Sequence, residues 1–349
     1  MVVERPSVPK SQPSMADVAA HAGVALGTVS NTLNSPEKVR ETTRRKVLAS
    51  IAELGFVRND AARSLAVGSS TQVGLVLADL GNSFFVDIAR GVEQVMRRRG
   101  MDVLIVNTDV EPSREVHNLE LLDRSRVAGI IIAPLDTSLA QSNVLPTRST
   151  PTVLVNYESP TLAYSGVIAD EPYGGMLAAQ HLLSLGRRRL LFVGGPLFLR
   201  AVDQRWIGAK QAVNELEGAT ISIEETRGLN IRHGREVAKR IIERGAGTYD
   251  GIIAASDLLA IGLVQVLHET PGFAIPSDIA VTGYDNNHFA SESAIPISTI
   301  AQPGEEMGSA AADLLLELIE KPSTTKRTVR LEPRIMPRSS TLGSRWQRD

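Results

Sequence analysis

Residues 15–33 read MADVAAHAGVALGTVSNTL, and this stretch decides the fold of the N-terminal part of the chain. Ser14 and Asp17 have the spacing of a capping box, which satisfies free N–H groups at a helix start. Gly23 is suited to the left-handed backbone conformation that ends a helix. A second helix is predicted over about 26–33. Two short helices joined by so tight a turn are typical of a helix-turn-helix, whose second helix enters the major groove of DNA.

A third helix is predicted downstream of an Asn-Ser-Pro break at 34–36. Its apolar residues recur with a helical period: Val47, Leu48, Ile51 and Leu54. From periodicity alone, a small helical bundle of another kind is the alternative. Thr28, Ser30 and Asn31 favour the DNA reading, because short hydrogen-bonding side chains on the outer face of the second helix can contact phosphates and base edges.

Composition and charge narrow the class of protein. The 349 residues contain no cysteine, which excludes disulfides, zinc ribbons and thiol catalysis. No apolar run approaches the roughly 18 residues of a membrane span. Residues 1–13 are interpreted as a disordered tail and lack the apolar core of a signal peptide. We therefore expect a cytoplasmic protein. Residues 1–68 hold nine Lys/Arg and six Asp/Glu, a net charge of +3, whereas the rest carries −5. A basic head on an acidic body fits a DNA-binding domain.

Short β-rich apolar runs, separated by helical patterns, begin at residue 73. They lie at 73–78, 103–106, 129–133, 152–155, 190–193, 251–254 and 279–282. Near-continuous apolar strands alternating with helices indicate parallel sheets covered on both faces. The region is long enough for two Rossmann-like subdomains, which bind ligands beyond the carboxyl ends of their strands. The chain has no GxGxxG, no P-loop and no metal-ligand spacing among its six histidines, so we expect no enzyme, no cofactor and no metal.

Polar and aromatic residues stand at the predicted strand ends. They are Asp79, Asn82, Phe84, Phe85, Asn107, Asp109, Asn156, Tyr157, Ser256, Asp257 and Asp285. Each alone could be a helix cap or a turn former. As a set converging on one crevice they favour a ligand site, with an aromatic ring stacked on a sugar or base and carboxylates and amides holding hydroxyls.

The order and spacing of these motifs resemble the LacI/GalR family of transcriptional regulators. The match runs through VAAHAGVALGTVSNTLN, VGLVLADLGNSFFVDIARGVE, HLLSLGRRRLLFVGGP, SDLLAIG and VTGYDN, and covers nearly all of residues 14–335. The resemblance implies an N-terminal all-α helix-turn-helix head and an α/β body of two Rossmann-like subdomains of periplasmic-binding-protein type. It also implies a ligand-controlled regulator, most often a repressor, that binds a pseudo-palindromic operator as a homodimer or higher oligomer.

Two sets of site residues follow from the resemblance. The DNA-binding set is Leu26, Gly27, Thr28, Ser30, Asn31, Asn59, Ala62 and Leu65. Within it, residues 59–66 are a hinge helix and Leu65 is an apolar wedge for the minor groove. The effector-binding set is Asn82, Phe84, Asn156, Asp203, Ser256, Asp285 and Gln302.

The chain departs from the family pattern at several positions. Ala25 and Arg40 replace serines that commonly cap the second and third helices, each a loss of about 1 kcal/mol. Gly27 replaces a larger base-reading side chain. Asp203 stands where many relatives carry arginine, and Ser256 where asparagine is common. Neither the operator nor the effector can therefore be transferred from relatives.

The expected domains follow from these assignments. They are a tail at 1–13, a helix-turn-helix domain at 14–58, a hinge and linker at 59–68, a body at 69–339 and a tail at 340–349. The body divides into an N-subdomain, about 71–167 and 300–330, and a C-subdomain, about 168–299 and 331–339. Two alternatives keep the same fold: control by a protein co-regulator, which Asp203 keeps open, and a solute-binding protein, against which the head and the missing signal sequence argue.

Overall fold

The computed structural model describes residues 13–57, 70–135, 150–159 and 163–346. The predicted tail before residue 13 and the predicted hinge, with Asn59, Ala62 and Leu65, lie outside these residues. The chain forms two compact units, one up to Ser69 and one from Ser70 onward.

The first unit is a three-helix head. Its helices are α1 (Met15–Ala22), α2 (Leu26–Asn34) and α3 (Glu41–Leu54), with a 3₁₀ turn at Pro36–Lys38. The capping box is present, because the Ser14 hydroxyl accepts from the Asp17 N–H and the Asp17 carboxylate accepts from the Ser14 N–H. Gly23 ends α1 at a φ of 61°. The predictions for both ends of this helix are confirmed.

The core of the head is small. Its buried residues are Val18, Ala19, Ala22, Val29 and Val47. Of the four apolar residues that predicted α3, Leu48 lies outside this core, since its side chain is 45% exposed. Neighbours on a helix point about 100° apart, so once Val47 faces inward the buried stripe continues through Ile51 and Leu54.

The second unit contains two six-stranded sheets, confirming the predicted pair of α/β subdomains. The strands are β1 (Gln72–Leu77), β2 (Asp102–Asn107), β3 (Gly129–Ile132), β4 (Thr152–Val155), β5 (Ser165–Ala169), β6 (Arg189–Gly194), β7 (Thr220–Glu225), β8 (Gly251–Ala254), β9 (Ala280–Asp285), β10 (Ser298–Ala301), β11 (Thr328–Leu331) and β12 (Arg334–Met336). The first sheet has the order β11-β5-β4-β3-β1-β2 and the second β12-β10-β9-β8-β6-β7. All pairings are parallel except β10 with β12.

Helices cover the sheets on both faces. They are α4 (Ser83–Arg98), α5 (Pro112–Arg124), α6 (Glu171–Ser184), α7 (Arg200–Asn214), α8 (Ile231–Arg244), α9 (Asp257–His268), α10 (His288–Glu292), α11 (Gly304–Glu320) and α12 (Ser339–Leu342). We call the first sheet with its helices the N-lobe and the second with its helices the C-lobe. The chain passes between the lobes after β5, after β10 and after β11, so three short connections join them.

Helices α4 and α11 approach closely on the N-lobe. A Cβ added at Gly91 would lie 2.1 Å from the Glu305 carbonyl oxygen, and one at Gly308 would lie 2.0 Å from that of Ile88. No side chain fits at either position, so the two backbones pack directly. This contact fixes α11, the segment that follows the second crossing, against the first sheet.

The C-terminal boundary of the body needs correction. The sequence places the end of the body at residue 339 and a tail at 340–349. Ser340 and Thr341 are buried, and the Ser340 hydroxyl donates to the Val281 carbonyl oxygen at 2.6 Å and accepts from the Ser298 N–H. These short polar side chains complete the hydrogen bonds of β9 and β10, so the body includes α12.

Candidate functional site

A cavity of about 670 Å³ lies between the two lobes, and residues of both lobes line it. Asn82, Phe84 and Asn156 reach it from the N-lobe, and Asp285 from the C-lobe. These four predicted effector residues follow or end parallel strands, as expected for a ligand site in such sheets. The cavity has the size of sites that take small molecules.

The floor of the cavity holds a buried arginine–glutamate pair. The Arg205 guanidinium donates to both carboxylate oxygens of Glu171, at 2.7 and 3.1 Å, and its Nη1 donates to the Ala255 carbonyl oxygen at 2.7 Å. The same guanidinium lies 3.7 Å from the centre of the Tyr284 ring. Burial alone would lower the pKa of Arg205, but the charge of Glu171 raises it, so this side chain stays cationic.

Asp285 connects the two lobes across the floor. Its carboxylate accepts from Asn82 Nδ2 and from Gln302 Nε2, each at 2.8 Å, and lies 3.8 Å from Arg205 Nη1. Burial raises the pKa of Asp285, and the charge of Arg205 opposes that rise. Asn82 also caps α4 by accepting from the Phe84 N–H at 3.1 Å. Asn82 therefore both caps a helix and lines the cavity.

Three predicted effector residues do not line the cavity. Asp203 lies two residues before Arg205 on α7, which places the two side chains on opposite faces of the helix. Gln302 lies behind Asp285 and holds its carboxylate. Ser256 caps α9 by accepting from the Leu259 N–H. For direct contact with a ligand in this cavity, these three predictions are corrected.

Several lining residues were missed by the sequence analysis. They are Glu158, Glu171, Phe198, Arg200, Arg205, Arg227, His233 and Arg330. Among them Glu158 joins the lobes at the rim, since it pairs with Arg200 of the C-lobe at 3.2 Å and with Arg330 of the N-lobe at 3.3 Å. Glu171 follows the crossing after β5, a strand that the sequence analysis did not predict.

Helix α2 carries the candidate DNA-reading face of the head. Leu26 is 53% exposed, Gly27 and Asn31 are exposed, and Thr28 and Ser30 are half-buried. Ser30 Oγ accepts from Asn34 Nδ2 at 3.3 Å. Ala25 and Arg40 make no side-chain cap bond at the starts of α2 and α3, as the sequence predicts for these lost caps.

Metal sites and membrane-spanning helices would each point to a different kind of function. No group of three or more His, Asp or Glu there is arranged to hold a metal ion. Among the helices that the structure describes, none is long and apolar enough to cross a membrane.

Two family models match the chain. The model described as bacterial regulatory proteins, lacI family, matches residues 14–59, and the periplasmic binding protein-like domain matches residues 179–341. The first match covers the head and the second most of the C-lobe, so they fit the two units of the fold.

Known relatives match over almost the full length. The ribose operon repressor of Bacillus subtilis (strain 168) is 33% identical over 328 residues, which cover 93% of this chain and 97% of the repressor. A LacI family transcriptional regulator from Enterococcus faecium with bound ribose has a TM-score of 0.69 and 28% identity, over 77% of this chain and 98% of that one. The lac repressor dimer bound to operator and the anti-inducer ONPF shares the fold, with a TM-score of 0.81 and 24% identity over 95% and 99% of the two chains.

Proposed function

Because the chain belongs to the lacI family of bacterial regulatory proteins, we propose that it is a DNA-binding repressor controlled by a small effector. The effector is a sugar or a related polyhydroxy metabolite, and it binds between the two lobes of the body. The observation that carries this proposal is the polar floor of the cavity, where Asn82 of the N-lobe bonds Asp285 of the C-lobe. A ligand that reaches this bond contacts both lobes at once.

The DNA-binding half of the proposal rests on α2. Leu26 and Asn31 are exposed on a helix whose opposite face is buried through Val29. An exposed leucine suits apolar contact with a thymine methyl group, and asparagine suits paired hydrogen bonds to adenine. In this proposal Asn59, Ala62 and Leu65 form the minor-groove hinge. Two heads of a homodimer then read two half-sites of a pseudo-palindromic operator.

The effector half rests on the chemistry of the cavity. Amides and carboxylates line it beside the aromatic ring of Phe84, and this combination suits a sugar, whose hydroxyls both donate and accept while its C–H face stacks on the ring. Relatives described as ribose operon repressors, and one with bound ribose, support this class of ligand. The effector changes operator affinity by as much as its affinity differs between the two lobe arrangements.

No specific observation favours either alternative, a solute-binding protein or control by a protein co-regulator. A solute-binding protein leaves the head unexplained, although residues 14–59 match the lacI family model. Control by a protein co-regulator leaves unexplained the cavity of about 670 Å³ between the lobes and its polar floor.

The test uses the full chain and DNA selected from random sequence. We expect pseudo-palindromic sites, and we expect Asn31→Ala to weaken binding about tenfold, since one bidentate base contact contributes roughly 1–3 kcal/mol. Glu53→Gln, at an exposed position of α3 in the same head, is the control. In a second arm, D-ribose and related sugars are titrated while the melting temperature and operator affinity are followed. The proposal fails if the selection recovers no preferred sequence, or if a sugar raises the melting temperature without changing operator affinity.

A further inference from the structure

We propose that the C-lobe end of the cavity binds an acidic group of the effector, a carboxylate or a phosphoryl group. The site is the segment 226–230 with the N-terminal end of α8, and we call it the acidic-group subsite. The inference rests on the proposed function, because it assigns one part of the ligand that this cavity takes.

The first argument is charge. Four arginines line the cavity among the described residues, and three of them already face a carboxylate. Arg205 pairs with Glu171, and two others share Glu158. Arg227 is exposed and makes neither a hydrogen bond nor an ion pair with any part of the chain that the structure describes. It is therefore the lining cation that is ready for an anion from outside.

The second argument is a buried donor without an acceptor. His233 lines the cavity and is 9% exposed. Its Nε2 lies 3.3 Å from Arg232 Nη2, and because a guanidinium only donates, Nε2 is the acceptor and the proton sits on Nδ1. Nδ1 is buried and has no partner among the described residues. A buried donor of this kind calls for an acceptor, which a ligand oxygen would supply.

The third argument is the backbone of the segment. The Thr226 hydroxyl donates to the Gly228 carbonyl oxygen at 2.9 Å, and the Ser256 hydroxyl donates to the Leu229 carbonyl oxygen at 2.7 Å. Both carbonyl oxygens are thereby engaged away from a ligand. The helix that begins at Ile231 adds the positive end of its dipole, which favours a negative group. Ser256 thus acts as a positioning residue for the subsite.

The position of His233 depends on Gly228. A Cβ added at Gly228 would lie 2.7 Å from His233 Cε1 and 3.0 Å from Nδ1. The imidazole therefore packs on the bare backbone, and a methyl group there would displace it. Gly228→Ala moves the histidine without removing a charge, which makes it a second, independent variant.

The floor and the subsite together define a ligand class. At the floor, Glu171 and Asp285 outnumber Arg205, so that end suits neutral hydroxyls rather than an anion. At the other end Arg227 and His233 offer donors. The geometry therefore points to an acidic sugar, either a sugar phosphate or a sugar acid.

The first experiment uses inorganic phosphate as the probe. The full chain is titrated with phosphate at constant ionic strength while the histidine side-chain NMR signals are followed, with His233→Gln identifying the signal of His233. We expect a saturable shift of that signal, weakened at least fivefold in Arg227→Gln and in Gly228→Ala. Arg235→Gln is the control, because it removes an equal charge from the adjoining helix α8, where Arg235 bonds Gln265. A shift that does not saturate, or one equal in Arg227→Gln and Arg235→Gln, overturns the subsite.

The second experiment identifies the acid and separates this inference from the proposed function. Calorimetry compares D-ribose, ribose 5-phosphate and D-ribonate on the full chain. We expect at least one acid to bind about tenfold more tightly than ribose, and we expect Arg227→Gln to remove that difference. Comparing ribose 5-phosphate with D-ribonate shows whether the subsite prefers a phosphoryl group or a carboxylate. If ribose binds as tightly as both acids, the subsite is wrong. The proposed function is judged separately, by whether bound sugar changes operator affinity.

Discussion

Two arginine–glutamate pairs in this body have nearly the same geometry and very different surroundings. Arg205 contacts both oxygens of Glu171 at 2.7 and 3.1 Å, with side chains 5% and 10% exposed. Arg327 contacts both oxygens of Glu317 at 2.8 and 2.9 Å, with side chains 48% and 45% exposed. The nitrogen–oxygen distances are therefore nearly the same in the two pairs. The difference in burial should decide how much each pair contributes to the unfolding free energy.

The buried pair should matter most when one partner is removed. Glu171→Ala leaves the Arg205 cation in the floor with only Asp285 near it, and we expect a loss of about 3 kcal/mol in unfolding free energy, at the lower end of values for broken buried pairs. Glu317→Ala should cost less than about 1 kcal/mol, because solvent screens the exposed pair. Urea denaturation of both variants measures the difference.

Replacing both partners tests whether the cost lies in the orphaned charge. The double variant Glu171→Leu with Arg205→Met should recover part of the stability lost by Glu171→Ala, because it removes the orphaned cation. The recovery is incomplete because Asp285 and the Ala255 carbonyl oxygen lose their contacts with Arg205. Equal losses in the single and double variants would contradict this account. So would equal losses for Glu171→Ala and Glu317→Ala.

A contact with a neutral donor in the same floor should make the next smaller contribution to stability. Asn82→Ala removes the donor to Asp285 Oδ2 and the cap of α4. We expect a loss of about 2 kcal/mol, because a buried carboxylate oxygen loses its partner. Asp79→Ala, in the same loop, removes only an exposed bond to the Gly81 N–H and should cost clearly less. Matching losses in thermal denaturation would show that the bond from Asn82 to Asp285 adds nothing to stability.

A second buried carboxyl group, that of Asp257, predicts a pH dependence of stability. Asp257 is fully buried, and burial, reinforced by the charge of Asp285, raises its pKa well above the usual value. The folded state therefore holds a proton that the unfolded state releases above about pH 4. Stability contributed by this group is present at low pH and is lost as pH rises from the unfolded pKa toward the folded one.

The variant Asp257→Asn isolates that contribution. Its unfolding free energy should fall less steeply with pH above 4 than that of the unaltered chain, by about 1.4 kcal/mol for each unit by which the pKa is raised. Urea denaturation between pH 4 and 8 measures the two slopes. Parallel curves would show that Asp257 titrates alike in the folded and unfolded states.

The sequence predicted those parts of the site that follow strongly apolar strands. β4 and β8 were placed residue for residue, and Asn82, Asn156 and Asp285 lie after or at the end of such runs. β7 was missed because it is an edge strand whose residues alternate between exposed and half-buried. β5 was missed because it begins with Ser165 and Gly166, which leaves an apolar run of only three residues.

Several site residues were missed because the strands that position them were not predicted. Glu171 comes directly after β5, Arg227 after β7, and Arg330 lies within β11. Without those strands, no rule placed these residues at a carboxyl end. Asp203 was predicted from the family resemblance, which marks a position along the chain but not a helix face. Arg205 is two residues further along α7, and two residues of helix turn the side chain by about 200°.

The smallest effect should come from the rim, where an ion pair joins the lobes in solvent. Glu158 serves both Arg200 and Arg330 and is 31% exposed, and the arginines are 47% and 46% exposed. Glu158→Gln should change unfolding free energy by less than about 1 kcal/mol, and the change should shrink in high salt. Urea denaturation at low and high salt measures both quantities. If Glu158→Gln lost nearly as much unfolding free energy as Glu171→Ala, burial would not explain the difference between the pairs. An exposed ion pair between the lobes would then stabilise the body as much as a buried one.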